Sequence, residues 1–458
     1  MKKLLLNTSK TNQQNLFYSQ LSDMLDMNDP LIALANAIDW EIFENEFAGF
    51  YSKDGCPAKP IRLMVGLLIL KQLENLSDES IVIQWKRNPY YQYFCGYNEM
   101  QVCEPCHSTQ LVKFRQRIGI IGMELIFKVS VQLHGSCAEE KQVLIDTTVQ
   151  EKNITYPTDG KLAIKMIHHL HKIGKKEQLN LRRTFVKEIK EHRINLRFFK
   201  HPKKIKKARS SIKRLRTIVG ILIRDISRNL KQDKLSNYTN TFDLFDKVRN
   251  QQIKDSNKVL SLHESHVYAI TKGKDHKKYE YGTKASIVAT KDSGVIVGVA
   301  SHSKNEHDSK TLEAALISAN KTRTTAIKEV ICDRGYRGIK EVLGTIISIP
   351  GTTLKKDTEY QKQQKRDKFK RRAAIEPIIG HLKSDFRLAR NYLKGFIGDQ
   401  INLLLAATAW NLKKWMNIYF FAIISGEMKL LLESIKQIKL YNQIFLQLIV
   451  IKLIFTHP

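Results

Sequence analysis

Up to about residue 130, apolar positions recur mostly at offsets of three, four and seven, the spacing of one helical face. Asp39–Phe50 is a short amphipathic piece of this kind. In Lys59–Leu76, Ile61, Met64, Val65 and Leu68 make one face while Leu63, Leu67 and Leu70 make the opposite one apolar. The spacing predicts a helix buried all round, with Pro60 near its first turn. Ser77–Ser80 starts another helix through Ile81, Ile83 and Trp85. The pair reads either as a helical hairpin packing a core or as a helix-turn-helix reader of DNA. Ser108–Gly119 opens a further helix with a Ser/Thr cap and a basic end.

At Gln142 the period changes. Val143–Val149 is a β-rich run with Asp146 planted in its middle, and a charge there is costly unless paired or bound to a metal. Residues 160–255 return to helical spacing. Two runs, Thr283–Thr290 and Val295–Ser301, then flank Lys291–Gly294 as a hairpin. Asn305–Thr311 caps a helix through Leu312, Ala315 and Leu316. Val330, Ile331 and Cys332 form a short strand ending at Asp333, followed at once by a Gly-bearing turn. A strand near Thr345–Ile349 and a helix carrying Glu376 follow. That helix is predicted from Ile375, Ile378, Ile379, Leu382, Phe386 and Ala389. The resulting order is strand, helical insertion, strand, strand, helix, strand, helix, strand, helix. This is an α+β or α/β organisation: a helical N-terminal part, then a mixed layer of strands and helices.

Charge adds a partner. The formal net charge is +31, from 76 Lys and Arg against 45 Asp and Glu, and such an excess points to a polyanion. Residues 160–255 concentrate cations between Ile, Leu, Val and Phe, so one helical face can bury while another meets phosphates. No uncharged apolar span reaches 18 residues, which favours nucleic acid over membrane. The start MKKLLLNTSK is too short in apolar residues for a signal peptide, and a cytosolic location is expected. The six cysteines, Cys56, Cys95, Cys103, Cys106, Cys137 and Cys332, are then expected to be reduced. Cys103, Cys106, His134 and Cys137 have the composition of a zinc set, with buried or incidental thiols the alternative. His168, His169 and His171 read as surface or DNA-facing residues.

Three acids are the candidate chemistry: Asp146 within a strand, Asp333 ending another, and Glu376 on the last helix. Arg372, Glu376, Lys383, Arg387 and Arg390 fall on one stripe beside the apolar face of that helix. Pro377 could start or kink the helix, which leaves Arg372 the least secure member. The stripe reads either as an ion-paired, solvated face or as a metal-binding carboxylate whose basic neighbours grip phosphates.

The sequences LIDTTVQEKNITYPTDGK around Asp146, KGKDHKKYEYGTKASIV at 272–288, CDRGYRG around Asp333 and Arg372-x3-Glu376-x6-Lys383 resemble the DDE-type transposases of bacterial insertion sequences, in the group spanning insertion-sequence families four and five. The stretch from DPLIALANAIDWEIFENEF to LVKFRQRIG resembles their N-terminal domain, so the likeness covers roughly 28–415. It implies a helical DNA-binding domain over 1–130. Over 131–415 it implies a ribonuclease-H-like catalytic domain with a basic helical insertion at about 160–260. Asp146, Asp333 and Glu376 would be its catalytic, metal-binding triad for two Mg2+ or Mn2+ ions. Arg372, Lys383, Arg387 and Arg390 would contact DNA, together with Arg337 and Tyr336 in the turn beside Asp333, where Tyr336 reads as packing or base stacking. The implied partners are double-stranded DNA, as terminal inverted repeats and target, and at least a second copy of the chain. A nuclease on the same core, or an inactive DNA-binding relic, is the alternative. Phe369 stands where the family often has Tyr, which removes a hydroxyl. The apolar tail 416–458 lies outside the likeness and reads as a packing helix pair, a dimer contact or a frameshifted end.

Overall fold

Among the described residues, seven strands form one mixed sheet: β1 (Gln142–Glu151), β2 (Tyr268–Ile270), β3 (Glu280–Thr290), β4 (Ile296–His302), β5 (Glu329–Ile331), β6 (Glu341–Val342) and β7 (Thr345–Ser348). In the computed structural model the described residues are 3–4, 20–51, 57–252, 254–271, 278–349, 351, 354 and 356–455, with backbone alone for 3–4 and 427–455. Cys56, the opening residues of MKKLLLNTSK other than 3–4, and the 272–277 part of the KGKDHK motif lie outside them.

The sheet runs β2-β3-β1-β5-β7-β6, with β4 also on β3. β1 is antiparallel to β3 and parallel to β5, and β5 is parallel to β7. β3 and β4 are the hairpin expected from the sequence, turned by Gly294 at φ +65°. The edge strands β2 and β6 were not legible as strands. No α-helix separates β5 from β7. The connection is a 3-10 turn, Arg334–Tyr336, and the two-residue β6. Three glycines, Gly335, Gly338 and Gly344, in so short a link leave no room for a stable helix.

The helix Asp308–Thr322 lies on β4, where Gly298 permits the approach: a Cβ there would stand 2.7 Å from the Cβ of Ala319. Asn411, on the helix Gly395–Phe455, bonds both the N–H (2.9 Å) and the carbonyl (2.8 Å) of Ile296 on β4. That helix continues unbroken past Trp415, so the backbone of 416–455 is not a helix pair. No helix among the described residues is long and apolar enough to cross a membrane.

The N-terminal helices Pro30–Ala37, Trp40–Ala48, Ile61–Leu73, Asp78–Arg87, Pro89–Phe94 and Ser108–Gln132 share one apolar core with the sheet. Ile61–Leu73 is buried on all sides, as its two apolar faces predict. Its neighbour Asp78–Arg87 buries Ile81, Val82 and Trp85 while Ile83 is exposed, so the pair packs as a hairpin within the core. A second core is made wholly within 162–259. There the helices Asp159–Lys176, Val186–Leu196, Ile205–Asn229 and Thr239–Asn250 bury Leu170, Leu215, Leu222 and Phe245 against one another.

Candidate active site

Alternation along β1 sends Leu144 and Asp146 to the same face. The parallel pairing of β1 with β5 sets Leu144 opposite Ile331, and the same offset carried two residues further sets Asp333 level with Asp146. Both acids are half-buried. Asp146 Oδ1 accepts the N–H of Thr147 at 2.7 Å. Asp333 caps the 3-10 turn, its Oδ1 accepting the N–H of Gly335 at 2.8 Å.

Glu376 comes to the same face through its neighbour. Ile375, buried, packs with Leu144 and Ile331 in a small apolar cluster of their own. Glu376 itself is exposed, and its Oε1 lies 3.1 Å from Arg372 Nη2. A carboxylate brought up to Asp146 and Asp333 meets like charge unless cations intervene, and the guanidinium of Arg372 is one cation already at Glu376. Among the described residues no three His, Cys, Asp or Glu side chains are arranged around one metal-sized point. The hard oxygen donors of Asp146 and Asp333, side by side on one face, nonetheless suit a small divalent cation.

The basic stripe is not one helix. Helix Glu359–Ala373 ends and Ile375–Ser384 begins across Ala374. Pro377 lacks the N–H that would bond the Ala373 carbonyl, and the break falls there. Arg372 therefore sits on the earlier helix, with its guanidinium 5.7 Å from the Phe369 ring centroid. The later helix stops at Ser384, so Arg387, Ala389 and Arg390 lie beyond it. Phe386 is still buried, but from the loop, and Ala389 is exposed. Arg387 is left-handed, at φ +62°, and its Nη1 donates to the Asn75 carbonyl at 2.9 Å. Lys383 is half-buried, and Arg337 and Arg390 are exposed.

Asp333 opens on a recess of about 220 Å³ lined by Cys332, Arg334, Ile349, Phe369 and Arg372. The Cys332 thiol is pushed up to about 12 by burial first, then by the carboxylates of Asp333 and Asp146, with Arg372 opposing. Tyr336 is fully buried, which excludes base stacking by its ring. Burial, then Asp146 and Asp308, raise its phenol further.

Asp308 is the residue that sequence reasoning missed. It begins the helix after β4, where an acid reads as part of a capping sequence, and only the fold brings it to Asp333. The suggested zinc set does not assemble: Cys103 and Cys137 are exposed, Cys106 is buried, and His134 Nε2 is 3.0 Å from the Asn411 carbonyl.

Residues 19–117 match a family described as a transposase domain, and residues 255–412 match one described as a transposase DDE domain. The chain is 37% identical over 194 residues to a Rhizobium meliloti protein described as "Uncharacterized protein ORF8 in nfe locus", an alignment covering 41% of this chain and 94% of that protein. No solved structure matches the chain significantly.

Proposed function

We propose that this chain, which belongs to the DDE-type transposases of insertion sequences, binds the terminal inverted repeats of its element and catalyses metal-dependent cleavage and joining of DNA strands. The observation that carries this reading is the shared level and face of Asp146 and Asp333, over which Ile375 packs the start of the Glu376 helix.

In-line displacement at a phosphodiester spreads charge over the phosphoryl oxygens, and the attacking water or 3′-hydroxyl must lose a proton. Asp146, Asp333 and Glu376 are the residues that would hold two Mg2+ or Mn2+ ions. Bound there, such ions would help activate the nucleophile and stabilise the leaving oxygen. Glu376 has to leave Arg372 to join them, and the freed guanidinium is then available to a phosphate. Lys383, Arg390 and Arg337 extend the phosphate contacts, while Arg387 acts chiefly through Asn75.

The helical segment supplies a second DNA surface and stands as the basic insertion of a ribonuclease-H-like core. Residues 160–255 carry 27 Lys and Arg against 8 Asp and Glu. Among them, Arg182, Arg183, Arg224 and Arg228 line a recess of about 320 Å³ floored by Phe185 and Ile221. At least a homodimer in the DNA complex, to hold two ends, and a cytoplasmic, nucleoid-associated location belong to the same reading.

Cleavage of DNA carrying the element's own ends, with and without Mg2+, tests it. Nicking at the repeat boundary that requires metal and is lost in Glu376→Gln is expected. Metal-independent nicking, or equal nicking by the variant, refutes the assignment. Joining of the nicked end separates a transposase from a nuclease on the same core.

A further inference from the structure

Asp308 stands where the sheet brings β1, β3 and the Asp333 turn together. Its Oδ1 accepts from the Thr147 hydroxyl and from Lys284 Nζ, each at 2.9 Å. Both partners are buried, and Lys284 Nζ also donates to the Glu306 carbonyl at 2.5 Å, so this oxygen is held from two sides. Its Oδ2 points the other way. A Cβ built on Gly335 would stand 3.1 Å from Asp308 Oδ2 and 3.0 Å from Asp333 Oδ1, so those two carboxylate oxygens are no more than about 6 Å apart. A side chain at Gly335 would fill the space between them.

Thr147 is the chain neighbour of Asp146, on the opposite side of the pleat. Asp308 therefore touches the backbone neighbourhood of one triad acid through Oδ1 and faces another through Oδ2. The arrangement is costly on its own terms, since two carboxylates at this range repel. Lys284 offsets part of that cost at Oδ1, and Oδ2, the oxygen turned from that cation, is the one beside Asp333.

Resting on the transposase reading above, we propose that Asp308 is a positioning residue of the catalytic centre. It ties β1 to β3 beside the Asp333 turn, and its Oδ2 adds negative potential that favours a divalent cation held by Asp146 and Asp333. Removing a supporting group of this kind typically weakens metal affinity about 10- to 100-fold.

The experiment uses the full chain without DNA, titrated with Mn2+ by calorimetry. Alongside it run melting curves in EDTA and the Mg2+ dependence of end cleavage. Asp308→Asn keeps an acceptor for Thr147 and Lys284 but removes the charge. It is expected to weaken Mn2+ binding about tenfold or more and to raise the Mg2+ requirement for cleavage in parallel, with Asp308→Glu recovering part of both. Unchanged Mn2+ affinity in Asp308→Asn overturns the proposal. So does a lowered melting temperature in EDTA without a change in Mn2+ affinity, which marks a purely structural role. Should Asp308→Asn fail to fold, Thr147→Val decides. It is expected to weaken Mn2+ binding in the same direction, and an unchanged affinity there overturns the proposal. Wild-type protein that neither binds Mn2+ nor cleaves refutes the transposase reading itself; wild-type binding matched by Asp308→Asn refutes only this inference.

Discussion

Arg372 and Glu376 face each other across the joint between two helices, Nη2 to Oε1 at 3.1 Å. Glu376 is mostly exposed and Arg372 is not, so the pair is held from the arginine side, against Phe369 and the Asp333 recess. Arg372→Ala should lower affinity for end DNA about tenfold at fixed salt and reduce the slope of log K against log salt by about one. The Mg2+ requirement for cleavage should not rise, because Glu376 loses a competitor and not a partner. Binding isotherms at several salt concentrations and a Mg2+ titration of cleavage check both halves.

Asp146→Asn should reduce cleavage by more than about a hundredfold, the upper range for loss of a mere supporting group, while end binding stays near wild type. The amide keeps an oxygen to accept the Thr147 N–H, so the strand has no reason to move. Gel-shift and nicking assays on one DNA read the two effects apart.

These expectations rest on features of unequal legibility. Asp146 and Asp333 could be read because an acid inside or ending an apolar strand stands out against a period of two. The Glu376 helix was legible through Ile375, Ile378 and Leu382. Its end was not, because Arg387 leaves the helix by a left-handed turn that an arginine does not announce. Tyr336 looked available for stacking because it sits between charged and glycine residues, and only the packing of the Asp308–Thr322 helix on that turn buries it. Asp308 could not be found from local pattern, since its significance lies in a contact 161 residues away in the chain.

In the helical segment, Arg182, Arg183, Arg224 and Arg228 share their recess with one acid, Asp225, whose Oδ2 accepts the Arg182 backbone N–H at 3.1 Å, so four cations against one carboxylate leave charge for phosphates. The double change Arg224→Ala with Arg228→Ala should cut the salt slope of DNA binding by about two and leave Mn2+ binding by the chain unchanged. An unaltered slope would take the recess out of the DNA surface.

The described cysteines should divide by burial. Cys103 and Cys137 are exposed, whereas burial pushes Cys95 and Cys332 up to about 12 and Cys106 up to about 11. At pH 8 an alkylating reagent should therefore modify Cys103 and Cys137 in the native protein, and Cys95, Cys106 and Cys332 only after denaturation. Peptide mass spectrometry of the alkylated protein gives the pattern directly.

Asp78 is clamped by Arg115, at 2.9 Å from Nη1, and by Lys71 at 2.8 Å, all three side chains being largely buried. Burial alone would raise its carboxyl, but the bonds from Arg115 and Lys71 prevail and hold it at about 2. A depressed carboxyl stabilises the fold above the unfolded value of about 4 and loses that contribution as pH falls towards 2. Asp78→Asn should cost about 3–5 kcal/mol, because it leaves two buried cations without their counter-charge. Urea denaturation at pH 7 measures the loss, and the variant should show a shallower decline in stability between pH 4 and pH 2.

The apolar contact of Leu144, Ile331 and Ile375 lies immediately behind the three acids and contains no charge. On the proposed reading, the spacing of the three acids is inherited from oily side chains, and losing an acid would disarm the protein without dismantling it. A copy of the element that decays at Asp146 or Glu376 would go on making a folded protein that still occupies DNA ends. Such copies would act as competitors of the intact ones, so a host genome collecting them would accumulate its own restraint on the element.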